Sequence, residues 1–339
     1  MTQRDFWRIT LDTNPDFCNI NCIMCEDHSP LLPDRKTGER APRRPKMPVD
    51  LLEKTIRDAA RLGIREVIPS TMGEPLTYPH FERFIDLCAE LGLKLNLTTN
   101  GTFPKGRIAQ TVEDWAHRIV PVASDIKISW NGASACTQEK IMPGTTLATH
   151  VDNAQRFIRV RDAEATNRCS MTMQLTFMKD NLQEIPDLVR LAIDLGFDRI
   201  KGHQLWVHFR EMHSQDLRTP EMAGKWNAVV DECEAIVTAS NQGRERPFVL
   251  DNFHRIDLEE TRQATGDCPF LGREIWIDPT GRFNVCCAPD QLRRGLGDFG
   301  NVRETPLSDI IESAAYRDLQ QNYKTRELCK TCTMRRPDV

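Results

Sequence analysis

The feature that most constrains this chain is a group of three cysteines, Cys18, Cys22 and Cys25, which form a Cys-x3-Cys-x2-Cys array directly after an apolar run. Thiolates are soft ligands that suit iron-sulfur clusters and zinc. Three of them on one short loop leave one iron of a 4Fe-4S cube without a protein ligand, and an open iron can bind a substrate or a cofactor. A structural zinc site needs four closed ligands, usually in paired Cys-x2-Cys halves. The spacing therefore favours a cluster, with zinc as the alternative.

Length and composition indicate an ordinary globular protein. The chain has 339 residues, 40% of them hydrophobic and 28% charged, and its net charge of -4 gives no case for nucleic acid. One basic segment, 30–46, is expected to be a solvated loop, with a lid over an acidic substrate as the alternative. No apolar run reaches the roughly 18 residues of a membrane span, and residues 1–12 do not resemble a signal peptide. We therefore expect a cytoplasmic protein with no membrane partner, in which 12 cysteines serve metal or redox chemistry.

Strand-like runs alternate with amphipathic helices, which is typical of a parallel α/β architecture. The predicted strands are 6–11, 65–69, 93–97, 126–130, 171–177 and 199–200. The predicted helices are 50–63, 81–91, 105–118, 148–162, 182–195 and 219–240. Asp50 and Glu53 have the spacing of a capping box at the start of the first helix. In such sheets the active site lies at the carboxyl ends of the strands.

The cysteine array at the end of the first strand resembles the signature of the radical S-adenosylmethionine (SAM) superfamily. The resemblance implies a partial (β/α)6 barrel, an open relative of the eight-unit barrel. It also implies that SAM chelates the open iron through its amino and carboxylate groups, and that electron injection cleaves SAM to methionine and a 5'-deoxyadenosyl radical. Met24 stands where the family often has an aromatic residue, and methionine can pack against the adenine.

Further motifs of that family follow the later strands. Gly73-Glu74-Pro75 comes after the second strand and resembles the Gly-Glu-Pro element, whose oxygens accept hydrogen bonds from the methionine ammonium. By the same resemblance, Ser129 and Asn131 contact the ribose hydroxyls or the methionine carboxylate. Other polar side chains at strand ends are assigned to the same cavity: Thr99, Asn100 and Gln174. Each alone is more often part of a turn or an Asx motif, but their order along successive strands favours a cofactor site.

Four cysteines form a second array near the end of the sequence. Two short predicted strands around an Asp-Pro-Thr-Gly turn lie between the first two, and a predicted helix over 307–321 leads to the last two. This arrangement resembles the twitch domain, a shortened SPASM domain, which implies one auxiliary 4Fe-4S cluster held by Cys268, Cys286, Cys329 and Cys332. A four-cysteine zinc site is the alternative. Cys287 is expected on the opposite face of its strand and not among the ligands.

These patterns divide the chain into two predicted domains. Residues 1–245 form the radical SAM barrel, and residues 246–339 form a small α+β twitch domain with a hairpin and a helix. Three cysteines on apolar stripes or at a strand start are expected in the core: Cys88, Cys169 and Cys233.

Three residues are candidates for chemistry on the substrate. Cys136 follows the fourth strand and can return a hydrogen atom to a substrate radical, although an ordinary loop thiol is the simpler interpretation. His203 and His208 follow the sixth strand and can take the proton that leaves when a substrate radical is oxidised, because histidine ordinarily titrates near neutral pH. Either histidine can instead be a plain hydrogen-bonded residue at a loop edge.

Together these features predict a radical SAM enzyme. The expected substrate is a small molecule such as a cyclitol or aminosugar, which the enzyme dehydrogenates or epimerises. The alternative is a peptide-modifying enzyme of natural-product biosynthesis that forms crosslinks or epimerises residues. From another class, a non-catalytic zinc-binding protein would also hold cysteines. The expected electron donor is a flavodoxin or ferredoxin.

Overall fold

The fold is that of a computed structural model, which describes residues 6–38, 42–70, 72–164, 167–258, 266–332 and 334–335. Its strands are β1 (Arg8–Leu11), β2 (Glu66–Ile68), β3 (Lys94–Thr99), β4 (Ala123–Ser129), β5 (Ser170–Phe177), β6 (Arg199–Gln204), β7 (Val249–Asp251), β8 (Glu274–Ile277) and β9 (Phe283–Asn284). Within the described residues these nine strands form one sheet, in the order β7-β6-β5-β4-β3-β2-β1-β8-β9.

The pairing is parallel from β1 to β7, as expected for strands joined by helical crossovers. β8 joins the other side of β1, also parallel, with Glu274 opposite Arg8. β8 and β9 then form the antiparallel hairpin expected from the sequence. The predicted parallel α/β barrel and the hairpin are therefore confirmed, and the hairpin extends the sheet of the barrel.

The helices surround this sheet. They are α1 (Pro33–Thr37), α2 (Val49–Arg61), α3 (Phe81–Leu91), α4 (Val112–Ile119), α5 (Ala135–Ile141), α6 (Leu147–Ala163), α7 (Ile185–Leu195), α8 (Pro220–Ser240), α9 (Asp290–Arg293), α10 (Leu307–Ile311), α11 (Ala314–Asn322) and α12 (Glu327–Lys330). In the part of the chain that the structure describes, no helix has the length and apolar character needed to cross a membrane.

Two helix starts differ from the sequence prediction. α2 begins at Val49 after Pro48, which has no side chain that could cap it, so the predicted capping box of Asp50 and Glu53 is wrong. Glu53 instead forms an ion pair with Arg83 at 2.7 Å. α4 begins only at Val112, where a capping box formed by residues 111 and 114 stops the helix from extending back to residue 105.

The predicted helix over 307–321 is divided into α10 and α11. Ser313 lies between them in an extended conformation, and its side chain accepts a hydrogen bond from the Tyr316 N–H. A serine that caps a new helix cannot also continue the previous one. The seventh strand, β7, was not predicted, since three residues do not show a period.

Along each barrel strand, successive side chains point alternately toward the surrounding helices and toward the barrel interior. On β5, the outward side chains are apolar and buried, and Phe177 packs against Trp226 and Phe253 with ring centroids 4.4 and 4.9 Å away. Gly202 on β6 lies under that ring, because a Cβ there would stand 1.7 Å from it. Only glycine allows β5 and β6 to pair beneath this aromatic cluster.

The inward face of the barrel is polar near the amino ends of the strands. Arg8 forms ion pairs with Glu66 at 2.6 Å and Glu274 at 3.1 Å, which joins β1 to both of its neighbours. Asp125 on β4 pairs in the same way with Arg199 on β6 at 2.7 Å. These pairs offset charges that would otherwise be costly to enclose.

Candidate functional site

The cysteine loop, residues 16–27, follows β1 at the carboxyl end of the barrel. Its three cysteines, Cys18, Cys22 and Cys25, are half-buried. The loop turns back on itself where the Cys25 N–H donates to the Cys22 carbonyl at 3.1 Å. Burial raises the pKa of all three thiols, to about 11 for Cys25, and the other two thiols raise that of Cys22 further. The three side chains thus converge on one small volume, where metal binding must displace their protons.

Gly73 holds the Gly-Glu-Pro element directly against the base of the cysteine loop. Its φ is +74°, and a Cβ would stand 2.4 Å from the carbonyl oxygen of Asn14 and 2.9 Å from that of Phe17. The next residue completes the contact, because the Glu74 N–H donates to the Phe17 carbonyl at 2.8 Å. The Asn14 side chain donates back to the Glu74 carbonyl at 2.8 Å. Glycine is therefore required here for close backbone approach.

The Glu74 side chain points to the next strand end. Its carboxylate accepts hydrogen bonds from Thr99 Oγ1 at 2.8 Å, from the Asn100 N–H at 2.7 Å and from the Leu76 N–H at 3.1 Å. Burial raises the pKa of Glu74 to about 7, although these three donors oppose the rise. The predicted contact between Glu74 and the SAM ammonium stays a prediction. What the structure shows is a carboxylate that fixes the loop after β3, while Pro75 is buried behind it.

Asn100 joins that loop to the cysteines. Its side-chain amide donates to Asn19 Oδ1 at 2.8 Å and faces the Cys18 sulfur at 3.6 Å. Asn19 in turn donates to Thr102 Oγ1 at 2.8 Å. Sequence reasoning identified Asn100 but missed Asn19 and Thr102. Their signal was weak, since asparagine and threonine are ordinary loop residues.

Asn131 lies at the end of β4 and bridges to β5. Its side-chain oxygen accepts from the Thr176 N–H at 2.9 Å, and its own N–H donates to Gln138 Oε1 at 2.8 Å. Asn181 donates to its carbonyl at 3.1 Å. These bonds hold two strand ends together, so a contact from Asn131 to the ribose or carboxylate of SAM stays a prediction.

Ser129 and Gln174 are directly opposite each other on β4 and β5, and both are half-buried on the inward face. A contact from either side chain to SAM stays a prediction. His150 supports this strand end from behind, with Nε2 3.0 Å from the Ser129 carbonyl and its ring edge-on to Trp130 at 4.4 Å. Burial lowers the pKa of His150 to about 4, which keeps the ring neutral.

His203 lies on the inward side of β6, opposite Thr176, and its side chain is exposed. Its Nδ1 is 3.4 Å from the side-chain nitrogen of Asn252. Partial desolvation lowers the pKa of His203 to about 4, and the Lys201 ammonium lowers it further. This pKa is lower than the near-neutral value expected from the sequence.

The segment after β6 forms one wall of the barrel mouth. Leu205, Val207 and Phe209 pack into an apolar cluster with Met24 of the cysteine loop. Trp206 and His208 point the other way, because side chains alternate along an extended segment. Trp206 is 50% exposed, and its ring lies nearly parallel to that of His208 at 6.3 Å. Burial lowers the pKa of His208.

Cys136 is exposed on α5. The buried residues of this short helix are Gln138 and Ile141, and Lys140, one turn after Cys136, forms an ion pair with Asp180 at 2.8 Å. The thiol therefore lies on the outer face of the helix. Its role as a hydrogen donor stays a prediction. The three cysteines expected in the core are buried: Cys88, Cys169 and Cys233.

The second cysteine array converges around the hairpin. Cys268 precedes β8 and Cys286 follows β9, so the antiparallel turn brings both to the same end of the hairpin. Burial raises the pKa of Cys329 to about 11, and the neighbouring thiols of Cys286, Cys268 and Cys332 raise it further. All four predicted ligands of the auxiliary cluster are therefore close to one another.

Tyr323 and Arg335 hold the two halves of this array together. The Tyr323 hydroxyl accepts from the Cys268 N–H at 3.1 Å and donates to Asp267 at 3.0 Å. Arg335 is buried and donates to the carbonyls of Gly266 and Cys329, both at 2.7 Å. Neither residue carried a signal in the sequence, because both contact the cysteines through backbone groups.

Cys287 is exposed, and its expected placement on the face opposite the ligands stays a prediction. β9 ends at Asn284, and the alternation of a strand does not extend to Cys287. A hydrogen bond from Cys287 lowers the pKa of Cys286 to about 7. The same bond and the thiols of Cys332 and Cys268 raise the pKa of Cys287. Its exclusion from the ligand set stays a prediction.

The donor sets suit iron-sulfur clusters. Three thiols on one loop and four around the hairpin are soft ligands, and each set is partly shielded from water. Within the described ranges, no three His, Cys, Asp or Glu side chains stand at the spacing of a single metal ion.

Two family models match the chain. The model of the radical SAM superfamily matches residues 15–198, and a model described as an iron-sulfur cluster-binding domain, SPASM, matches residues 268–333. Both matches contain the cysteine arrays described above. The boundary predicted at residues 245 and 246 falls between the two matched regions and stays a prediction.

Curated relatives cover nearly the whole chain. The tungsten-containing aldehyde ferredoxin oxidoreductase cofactor-modifying protein of Pyrococcus furiosus is 22% identical over 327 residues, which are 94% of this chain and 85% of that protein. The PqqA peptide cyclase of Methylorubrum populi is 26% identical over 325 residues, which are 95% of this chain and 76% of that protein.

Solved structures share the fold. SuiB of Streptococcus suis bound to S-adenosylmethionine has a TM-score of 0.68 at 15% identity, covering 97% of this chain and 72% of SuiB. SuiB bound to its precursor peptide SuiA has a TM-score of 0.65 at 16% identity, covering 97% of this chain and 71% of SuiB. At such identities the likeness concerns the fold alone.

The first family match spans residues 15–198, more than half of the 339-residue chain. With the SPASM match, it gives the protein sites for SAM and for two 4Fe-4S clusters, one in the barrel and one beside the hairpin. The chain belongs to the radical SAM superfamily and carries a second iron-sulfur domain of the SPASM type.

Proposed function

We propose that this enzyme modifies a peptide, forming a new bond between or within its residues. The observation that carries the proposal is the similarity, along 95% of the chain, to PqqA peptide cyclases. SuiB, which shares the fold, was solved with a precursor peptide. The small molecule expected from the sequence is the less supported alternative. That expectation had no motif behind it, because substrate specificity comes from loop side chains that no motif determines.

The barrel mouth has a surface suited to a peptide. Trp206 is half exposed beside His208, while the same segment packs against the cysteine loop. Aromatic rings at a cavity rim give large contact area to apolar or aromatic side chains of a ligand. A peptide bound against these two rings would contact the segment whose opposite face packs on Met24 of the cysteine loop.

The proposed ligands of the SAM-binding cluster are Cys18, Cys22 and Cys25. The proposed ligands of the auxiliary cluster are Cys268, Cys286, Cys329 and Cys332. When bound, these groups and SAM supply a 5'-deoxyadenosyl radical and an acceptor for the electron that leaves the substrate. The residues around them position the site: Gly73 allows the Gly-Glu-Pro backbone to reach the cysteine loop, and Glu74 holds Asn100 against Cys18.

His203 is the proposed proton acceptor. Forming a bond at an oxidised carbon releases a proton, and a neutral imidazole on the inward face can accept it. The low pKa of His203, about 4, keeps its ring in the accepting form at working pH but makes it a weak base. The proposed electron donor is a flavodoxin or ferredoxin.

The test uses anaerobically reconstituted protein with dithionite and SAM. One arm offers synthetic peptides translated from the short reading frames that flank the gene, and the other offers a panel of cyclitols and aminosugars. We expect a peptide to increase 5'-deoxyadenosine formation and to lose two hydrogens by mass spectrometry. Turnover of a sugar or cyclitol with all peptides unchanged would overturn the peptide proposal.

The matched control replaces Cys18, Cys22 and Cys25 together by Ala. It should form no 5'-deoxyadenosine but keep about four irons per chain on the auxiliary site. Loss of all iron would contradict the assignment of two separate ligand sets. Zinc in place of iron in the unaltered protein, with no 5'-deoxyadenosine, would contradict radical chemistry altogether.

A further inference from the structure

Arg44 connects the two ends of the cysteine loop. Its guanidinium forms ion pairs with Asp16 at 2.5 Å and with Asp27 at 2.6 Å. Asp16 is two residues before Cys18, and Asp27 is two residues after Cys25. One side chain thus closes the segment that contains all three proposed ligands of the SAM-binding cluster.

The pairing at Asp27 is needed because that carboxylate is enclosed. Its side chain is 16% exposed, and its Oδ2 is buried without a hydrogen-bond partner among the described residues. Without Arg44, two carboxylates would therefore face each other across a partly buried space, which favours their separation.

Asp27 transmits this constraint to a cysteine. The backbone N–H groups of Asp27 and His28 both reach the Cys25 sulfur. A shift of the backbone at Asp27 would therefore move the donors of two hydrogen bonds to a proposed ligand. Hydrogen bonds to a cluster thiolate are among the features by which a protein tunes the cluster.

Arg44 also reaches the Gly-Glu-Pro element, since its Nη1 is 3.9 Å from the sulfur of Met72. The neighbouring cations are used differently, because Arg43 and Lys46 lie over the ring of Phe17 at 5.2 and 4.2 Å. The side chains of Arg43, Arg44 and Lys46 thus contact the cysteine loop, whereas Pro42 and Pro45 are exposed, as expected for a solvated loop over 30–46. Residues 39–41 of that segment lie outside the described residues.

We propose that Arg44 is a positioning residue that closes the cysteine loop through Asp16 and Asp27 and so sets the geometry at which the SAM-binding cluster accepts SAM. The inference rests on the proposed assignment of Cys18, Cys22 and Cys25 as ligands. An arginine is required because its planar fork can bond two carboxylates at once, whereas the ammonium of lysine is a single point of charge.

The test titrates the reduced holoenzyme with SAM and follows the electron paramagnetic resonance signal that changes on SAM binding. Arg44→Met and Arg44→Lys are compared with Arg61→Met, which removes an exposed ion pair with Asp58 on α2. We expect both Arg44 variants to raise the apparent Kd for SAM by about ten-fold or more, while Arg61→Met stays near the unaltered protein. Auxiliary-cluster iron and apoprotein melting temperature should match those of Arg61→Met.

Asp27→Asn should weaken SAM binding as Arg44→Met does. The double variant should bind SAM no more weakly than either single variant, because all three variants remove the same contact between Arg44 and Asp27. Loss of the barrel cluster alone in Arg44→Met would also support the inference. An unchanged Kd, an additive double variant, or loss of both clusters with a lower melting temperature would overturn it. Persistence of the SAM-dependent signal in the triple cysteine variant would instead refute the ligand assignment itself.

Discussion

Asp12 and Arg293 form an ion pair at 3.1 Å with side chains that are only 1% and 3% exposed. Asp12 directly follows β1 and leads into the cysteine loop, whereas Arg293 ends α9, seven residues after Cys286. The pair therefore joins the barrel to the segment that carries the second cysteine array. The Arg293 guanidinium also helps to lower the pKa of Cys286, after the larger effect of Cys287.

Replacing Arg293 by Met should destabilise the protein by about 3 to 5 kcal/mol, because removal of one partner leaves a charge buried without the other. Urea unfolding of the apoprotein measures this. The double variant Asp12→Asn/Arg293→Met should recover much of the loss. Arg61→Met, which removes an exposed pair with Asp58, should cost less than about 1 kcal/mol. Equal effects of Arg293→Met and Arg61→Met would contradict the prediction.

Gly73→Ala should disrupt the cysteine loop. The new Cβ would meet the Asn14 carbonyl at 2.4 Å, and φ is +74°. We expect loss of the SAM-dependent spectroscopic signal with the auxiliary iron retained. Gly106→Ala is the matched control, because a Cβ there meets nothing within 4 Å. A Gly73→Ala protein with normal SAM binding would show that the loop tolerates displacement of Asn14.

Glu74 should make the apoprotein less stable as pH rises from about 4.5 to about 7. Its folded pKa is raised to about 7 from an ordinary 4.5, so the folded state binds more protons than the unfolded state in this window. The stability contributed by the protonated form is present below the window and lost through it, by about 3 kcal/mol.

The measurement for Glu74 is urea unfolding of the apoprotein at several pH values, compared with Glu74→Gln. The variant should lack this pH dependence. It should also be less stable throughout, since its amide NH2 would face the N–H of Asn100 or Leu76. Parallel stability curves for the two proteins would mean that Glu74 ionises near its ordinary pKa.

His150 should make the apoprotein more stable as pH rises from about 4 to about 6.5, which is opposite in sign to the effect of Glu74. Its folded pKa is lowered to about 4 from 6.5, so the unfolded state binds more protons between these values and stability rises with pH. The contribution is complete above about pH 6.5 and falls by about 3 kcal/mol on acidification through pH 4. His150→Gln keeps a donor for the Ser129 carbonyl and should remove this dependence. A histidine NMR titration with a pKa above 6 for His150 would contradict it.

Cys287→Ser should leave about four irons on the auxiliary site, whereas Cys286→Ser should lose them. The two residues are adjacent, and both thiols lie near Cys268 and Cys332. Iron counting and the spectrum of the auxiliary cluster distinguish them. If the Cys287 variant loses the iron and the Cys286 variant keeps it, the fourth ligand is Cys287.

Much of the site was accessible from the residues themselves. The spacing of Cys18, Cys22 and Cys25, the glycine at position 73 and the polar residues after β3 and β4 all have local signatures, and the structure brings them to one end of the barrel. The substrate class was not accessible in this way. Loop residues such as Trp206 and His208 carry no motif, and the support for a peptide comes from relatives.

The sequence by itself determined the order of β1 to β6 and of the longer helices between them, because periods of two and 3.6 residues are local properties. It also determined which residue types could bind clusters. Only the tertiary structure decided that β8 pairs with β1, where Arg8 and Glu274 are 266 positions apart. It likewise decided that Glu74 faces Asn100 and that Arg44 bridges Asp16 and Asp27. The physical reason is that a side chain's partners, burial and pKa depend on groups that approach only after the chain has folded.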